Sequence, residues 1–179
     1  MKSDSPFAQT EFYHNPVMLG ECLEGLNLKA DGIFADCTLG GGGHSFAIAS
    51  KLIEPGTLHA FDRDQDAIDF ASRRLAGLSA KIVFHHVPFS ELANEIPENS
   101  LDGILYDLGI SSHQVDDSTR GFTFVGNNPL DLRMDRREGI GAQEWLRSVS
   151  ADDLAMALRK NAIWIVPTSF PHAWLKWLQ

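Results

Sequence analysis

Cysteine is scarce in this sequence: Cys22 and Cys37 are the only two among 179 residues. Their separation matches no metal-ligand spacing, so two reduced thiols are expected rather than a zinc site or a disulfide framework. No other grouping of Cys and His has ligand spacing, and no metal centre is expected. Long apolar runs are missing as well; nothing approaches the eighteen residues of a membrane-spanning helix, and no membrane association is expected. The opening MKSDSPFAQTEFYHNP has neither an apolar signal core nor an Arg-rich amphipathic pattern, which leads to the expectation of a cytoplasmic protein. Positive charge is also short, with 15 Lys and Arg against 24 Asp and Glu and a net charge of −9. That weighs against a broad phosphate-binding surface. Basic residues are nevertheless concentrated in RGFTFVGNNPLDLRMDRRE (120–138). No internal repeat or low-complexity segment is present, so a solenoid is excluded.

Between these absences lies an ordinary globular composition, 44% hydrophobic and 22% charged. From Gly32 to Asp107 short apolar runs alternate with helical periodicity. GIFADC (32–37), GTLHAFD (56–62), KIVFHH (81–86) and LDGILYDL (101–108) read as strands. HSFAIASKL (44–52), DQDAIDFASRRLAGL (64–78) and FSELANEI (89–96) read as helices, the last with Ser90 as a candidate N-cap. This alternation predicts an α/β fold with a parallel, doubly wound sheet. Ligands of such sheets bind beyond the carboxyl ends of the strands, where the strand order reverses. Asp36 to His44, Asp62 to Asp64, Asp107 to Ser112 and Phe89 are expected to share that rim.

The stretch DCTLGGGGHS (36–45) places four glycines between the first strand and the next helix. Missing side chains let a backbone approach a ligand closely, and the helix start beyond offers N–H groups to an anion. Asp62, at the end of the second strand, stands where a carboxylate accepts ribose hydroxyls, although a turn or cap would use it equally well. Together these two features point to a nucleoside-bearing cofactor without saying which. GGGGHS fits the dinucleotide fingerprint poorly, because Ser45 stands where the last glycine belongs. Phe89 is either an adenine platform or a core residue. Asp107 is a candidate acceptor for a substrate amine or hydroxyl, or a turn cap. His44 either touches a ligand or caps its helix; His85, His86 and His113 carry no motif.

HNPVMLGE (14–21), DCTLGGGGHS (36–45), FDRDQDAI (61–68), PFSEL (88–92), DGILYDLGISSHQVDD (102–117) and RGFTF with PLDLRMD (120–135) occur in this order. The set closely resembles the S-adenosylmethionine-dependent 16S ribosomal RNA cytosine-N4 methyltransferase family, over about residues 11 to 159. The resemblance implies a Rossmann-like class I methyltransferase sheet, incomplete at its C-terminal end. It implies a cofactor-binding core over 1–135, the start of a helical insert over 136–160, and a divergent Trp-rich tail over 161–179. It implies S-adenosylmethionine as cofactor and 16S rRNA in the small ribosomal subunit as partner. Gly42, Gly43 and His44 would hold the methionine and ribose part of the cofactor, Asp62 the ribose hydroxyls and Phe89 the adenine. Asp107 and Gln114 would complete the site, with Asp107 catalytic through positioning of the amine. The match fades after SADDLAMALRK (150–160), and the expectation is a C-terminally shortened family member. In the tail, Phe170, Ala173, Trp174, Trp177 and Leu178 follow helical spacing. A cofactor-binding protein without transferase activity and a nicotinamide-dependent oxidoreductase are the alternatives.

Overall fold

The structure, a computed structural model, describes residues 16–161. The tail helix expected around 170–178 lies outside the described residues. The chain divides into two compact units, one ending at His113 and the other starting at Gln114.

The first unit is built on four parallel strands: β1 (Ile33–Asp36), β2 (Thr57–Phe61), β3 (Lys81–His85) and β4 (Gly103–Leu105). Their order is β3-β2-β1-β4. The chain moves outward from β1 through β2 to β3, then returns to the other side of β1. The reversal therefore falls between β1 and β4, as the doubly wound reading requires. Alternation along the strands separates two apolar layers. Phe34, Leu58 and Ala60 face α2 (Gly43–Ala49) and α3 (Gln65–Leu75), burying Ile48, Ala49, Ala71 and Leu75. Cys22, Leu23 and Leu26 of α1 (Leu19–Leu26) join that layer. Ala35, Cys37 and Phe61 face the opposite way and pack with Ile96, just beyond α4 (Leu92–Glu95). β1 is covered on both sides, which is why it reads as a continuous apolar run. The side chain of Asp64 accepts the Asp66 N–H at 3.2 Å and so caps α3.

Two expected elements differ. The helix expected over 89–96 is a 3-10 turn at Phe89–Glu91 followed by the single turn of α4. Ser90 sits inside the 3-10 turn and caps nothing; Pro88, with its fixed φ, precedes the turn instead. β4 is three residues long because the chain leaves the ladder after Leu105.

His85, which carried no motif, closes a buried polar chain. Its Nδ1 lies 3.0 Å from Glu95 Oε2, and its Nε2 lies 2.9 Å from His59 Nδ1. An ionised carboxylate only accepts, so His85 carries its proton on Nδ1 and receives the His59 N–H on Nε2. The Phe61 ring stacks on His85 at 4.2 Å.

In the second unit the segment after the 3-10 turn Ser118–Arg120 is closed on itself. It follows α5 (Ser112–Asp116), which spans the division between the units. Arg120 is buried and its guanidinium donates to the carbonyls of Arg133 and Met134 at 3.1 and 3.0 Å. Gly121 turns with φ +76°, and a Cβ there would meet Pro129 O at 2.6 Å. The carbonyls of Leu130 and Asp131 accept the first N–H groups of α6 (Ala142–Ser148) at 2.8 and 2.7 Å. Ser150 Oγ accepts the Asp153 N–H at 3.1 Å and so caps α7 (Ala151–Asn161), while its own hydroxyl donates to Asp153 Oδ2 at 2.7 Å.

Burial, then the neighbouring His85 and Lys81, lower the His59 pKa from its ordinary 6.5. Between that depressed value and 6.5 the unfolded chain binds more protons, so stability rises with pH and is lost as pH falls through the folded value. Urea midpoints should fall from about pH 7.5 to about pH 5.5, and the fall should be smaller in His59→Gln. An equal fall in both proteins would remove the His pair as its source.

Candidate functional site

The glycine run is shaped by the protein around it. Gly42 adopts φ +70°, and a Cβ there would stand 3.0 Å from Ala71 Cβ on α3. Gly43 takes ordinary helical geometry, but a Cβ there would stand 2.8 Å from Pro16 Cγ. Gly41 differs, since a Cβ there would find open space up to Phe70 at 3.9 Å. The bend is held from the second strand. Asp62 Oδ2 accepts the Gly40 N–H at 2.9 Å, and Oδ1 accepts the Asp64 N–H at 2.9 Å. Asp62 therefore shapes the bend and opens α3 while retaining further lone pairs on both oxygens. Burial raises its pKa despite these N–H groups.

Beneath the bend lies Asp36, 1% exposed. Its Oδ2 accepts Ser45 Oγ–H at 2.7 Å and its Oδ1 accepts the Thr38 N–H at 3.0 Å. Desolvation pushes its pKa up; the two hydrogen bonds and the nearby His44 oppose that shift.

His44 is buried at the start of α2, with Nε2 3.1 Å from Val17 O. A carbonyl can only accept, so Nε2 carries a proton, and Nδ1 is the ring nitrogen turned toward Asp107. Asp107 Oδ2 lies 3.7 Å from that Nδ1. The separation is too long for a hydrogen bond.

Phe89 is 43% exposed and meets Tyr106 edge-on, with ring centroids 5.4 Å apart. Neighbouring strands lie about 4.8 Å apart, so β3 and β4 stand about 14 Å apart across β2 and β1. The Phe89 segment reaches over the rim to make this contact. The Tyr106 hydroxyl bonds the buried Cys37 thiol, and burial pushes that thiol up to about 11.

The first unit thus joins Gly42 and Gly43 to Asp62 through the bend, His44 to Asp107, and Phe89 to Tyr106 beside Asp107. Gln114 is buried in α5, in the second unit. Sequence reading missed Tyr106, Thr38 and the Val17 carbonyl. Only Thr38 left a trace, as the third residue of an Asp-x-Thr turn. The arginines of 120–138 are engaged locally. Arg133 Nε donates to Asp131 at 2.6 Å, Arg137 Nη2 to Asp135 at 2.6 Å and Arg136 to Thr119 O at 2.9 Å. Among the described residues no group of His, Cys, Asp and Glu is arranged to hold a metal ion. No helix among them is long and apolar enough to cross a membrane.

The sequence pattern of the MraW methylase family matches residues 11–162. The chain is 40% identical over 152 residues to ribosomal RNA small subunit methyltransferase H of Clostridioides difficile (strain 630). That match covers 83% of this chain and 49% of the relative, so the chain spans about half the relative's length. A candidate rRNA-methylase from Clostridium thermocellum is structurally similar over 55% of this chain and 54% of its own, at 19% identity and a TM-score of 0.48. An rRNA methylase from Streptococcus thermophilus covers 55% and 57%, at 20% identity and a TM-score of 0.42.

Gly42→Ala should lower stability by about 1–3 kcal/mol, from left-handed strain and the Ala71 contact. Gly41→Ala should change it by less than about 0.5 kcal/mol. Urea denaturation of both variants checks the contrast; equal losses would mean that the bend is not held as described.

Proposed function

The chain belongs to the MraW methylase family, and from that premise we propose that it binds S-adenosylmethionine and transfers a methyl group to the N4 amine of a cytidine in 16S rRNA of the small ribosomal subunit. The observation that carries this reading is the approach of His44 Nδ1 and Asp107 Oδ2 to 3.7 Å beside the glycine bend. The residues present fit the cofactor. The Asp107 carboxylate accepts from an ammonium such as that of a methionine moiety, beside the His44 ring. Asp62 retains lone pairs for ribose hydroxyls, and Phe89 exposes a ring face to a purine. Gly41 leaves space beside them.

When bound, the cofactor supplies a methyl group activated by a positive sulfonium, so the site needs no strong base. The difficulty lies with the nucleophile, because a cytosine exocyclic amine delocalises its lone pair into the ring. In this reading Asp107 accepts an amine N–H, localises the lone pair and aims it, and positioning is the main catalytic effect. The target base leaves its stack to reach the rim. The engaged arginines of 120–138 shape their segment.

Titration calorimetry should give binding of S-adenosylmethionine and none of NAD. Asp107→Asn should weaken it about 10- to 100-fold, the range expected for a hydrogen bond to a charged group. Methyl transfer is then assayed on immature small subunits with labelled cofactor. Absence of cofactor binding by folded protein would end the reading. Binding without transfer would restrict it to cofactor recognition.

A further inference from the structure

We propose that Thr38 is a positioning residue for Asp107, fixing the distance between the Asp107 carboxylate and the His44 ring at the cofactor seat; this rests on the function proposed above. Regular pairing of β1 with β4 ends at Asp36 and Leu105, and the Cys37 N–H still reaches Leu105 O at 2.9 Å. Two residues beyond the end of β4, the Asp107 N–H donates to Thr38 Oγ1 at 2.7 Å. A side-chain hydroxyl thus extends the hold of β1 on β4 beyond the end of the strand.

Thr38 is itself fixed. Its N–H donates to Asp36 Oδ1 at 3.0 Å, and its hydroxyl points its own proton toward the same oxygen at 3.5 Å. The other oxygen of Asp36 takes the Ser45 hydroxyl at 2.7 Å. Ser45 follows His44 on α2. One buried carboxylate therefore ties both halves of the seat: His44 through Ser45, and Asp107 through Thr38. The Asp107 side chain is 51% exposed, so its backbone anchor decides where the carboxylate starts. Thr38 touches neither the ligand nor the reacting atoms in this scheme and acts through Asp107.

The test uses the full chain with Thr38→Val, which removes the hydroxyl at nearly constant shape, and Thr38→Ser, which keeps it. Cofactor-free amide exchange at Asp107 should accelerate at least about 10-fold in the Val variant and return in the Ser variant, since the amide loses its acceptor. Affinity for S-adenosylmethionine should fall about 10-fold in the Val variant and recover in the Ser variant. In an Asp107→Ala background, Thr38→Val should add less than about a twofold loss, because the carboxylate it positions is gone. Thr38→Ala serves as a second variant if Val perturbs folding, which circular dichroism reports. Unchanged exchange at Asp107 overturns the proposal. So does a full affinity penalty in the Asp107→Ala background, which would assign Thr38 a general structural part. Failure of the unsubstituted protein to bind S-adenosylmethionine would instead sink the functional reading, and the exchange experiment would still decide the anchor.

Discussion

The rim of the sheet depends on one carboxyl group, that of Asp36, held out of water. Burying a carboxylate is costly unless donors surround it. Asp36 receives the Ser45 hydroxyl and the Thr38 amide. The cost and the compensation are both visible in its pKa, which desolvation raises and these donors pull back. The arrangement makes the start of α2 and the tip of β4 dependent on one group. A neutral apolar residue at this place would satisfy neither partner, and two elements would lose their common reference.

The neighbouring strand repeats the device at lower burial. Asp62 takes N–H groups from Gly40 and Asp64, holding the bend on one side and opening α3 on the other. The Gly42 conformation and the Ala71 contact complete the bend by steric means. Strand tips, rather than helices, thus carry the polar organisation of the first unit. Side chains there have one foot in the ladder and the other in the crevice, which suits groups that must be both fixed and available.

Much of this was legible in the sequence. β1, β2 and β3 fall within the apolar runs that announced them, and Asp64 caps α3 where the periodicity begins. The parallel sheet was legible in the alternation, whereas the order of its four strands was not. The 89–96 segment was misread as one helix because apolar spacing does not distinguish a 3-10 turn from a first α-turn. β4 was read too long, because LYDL remains apolar while its backbone has already left the ladder. Thr38 and Asp107 are separated by 69 residues, and the bond between them exists only once the strands are ordered. His85 was dismissed for the same reason. Its partners His59 and Glu95 come from β2 and α4, and no local spacing brings them together.

The edge-on meeting of Phe89 and Tyr106 joins residues that follow the two outermost strands. It acts as a belt across the sheet's mouth, buckled at Tyr106 by the Cys37 thiol. Phe89, from one margin of the sheet, thereby rests against the ring that precedes Asp107 in sequence at the other margin.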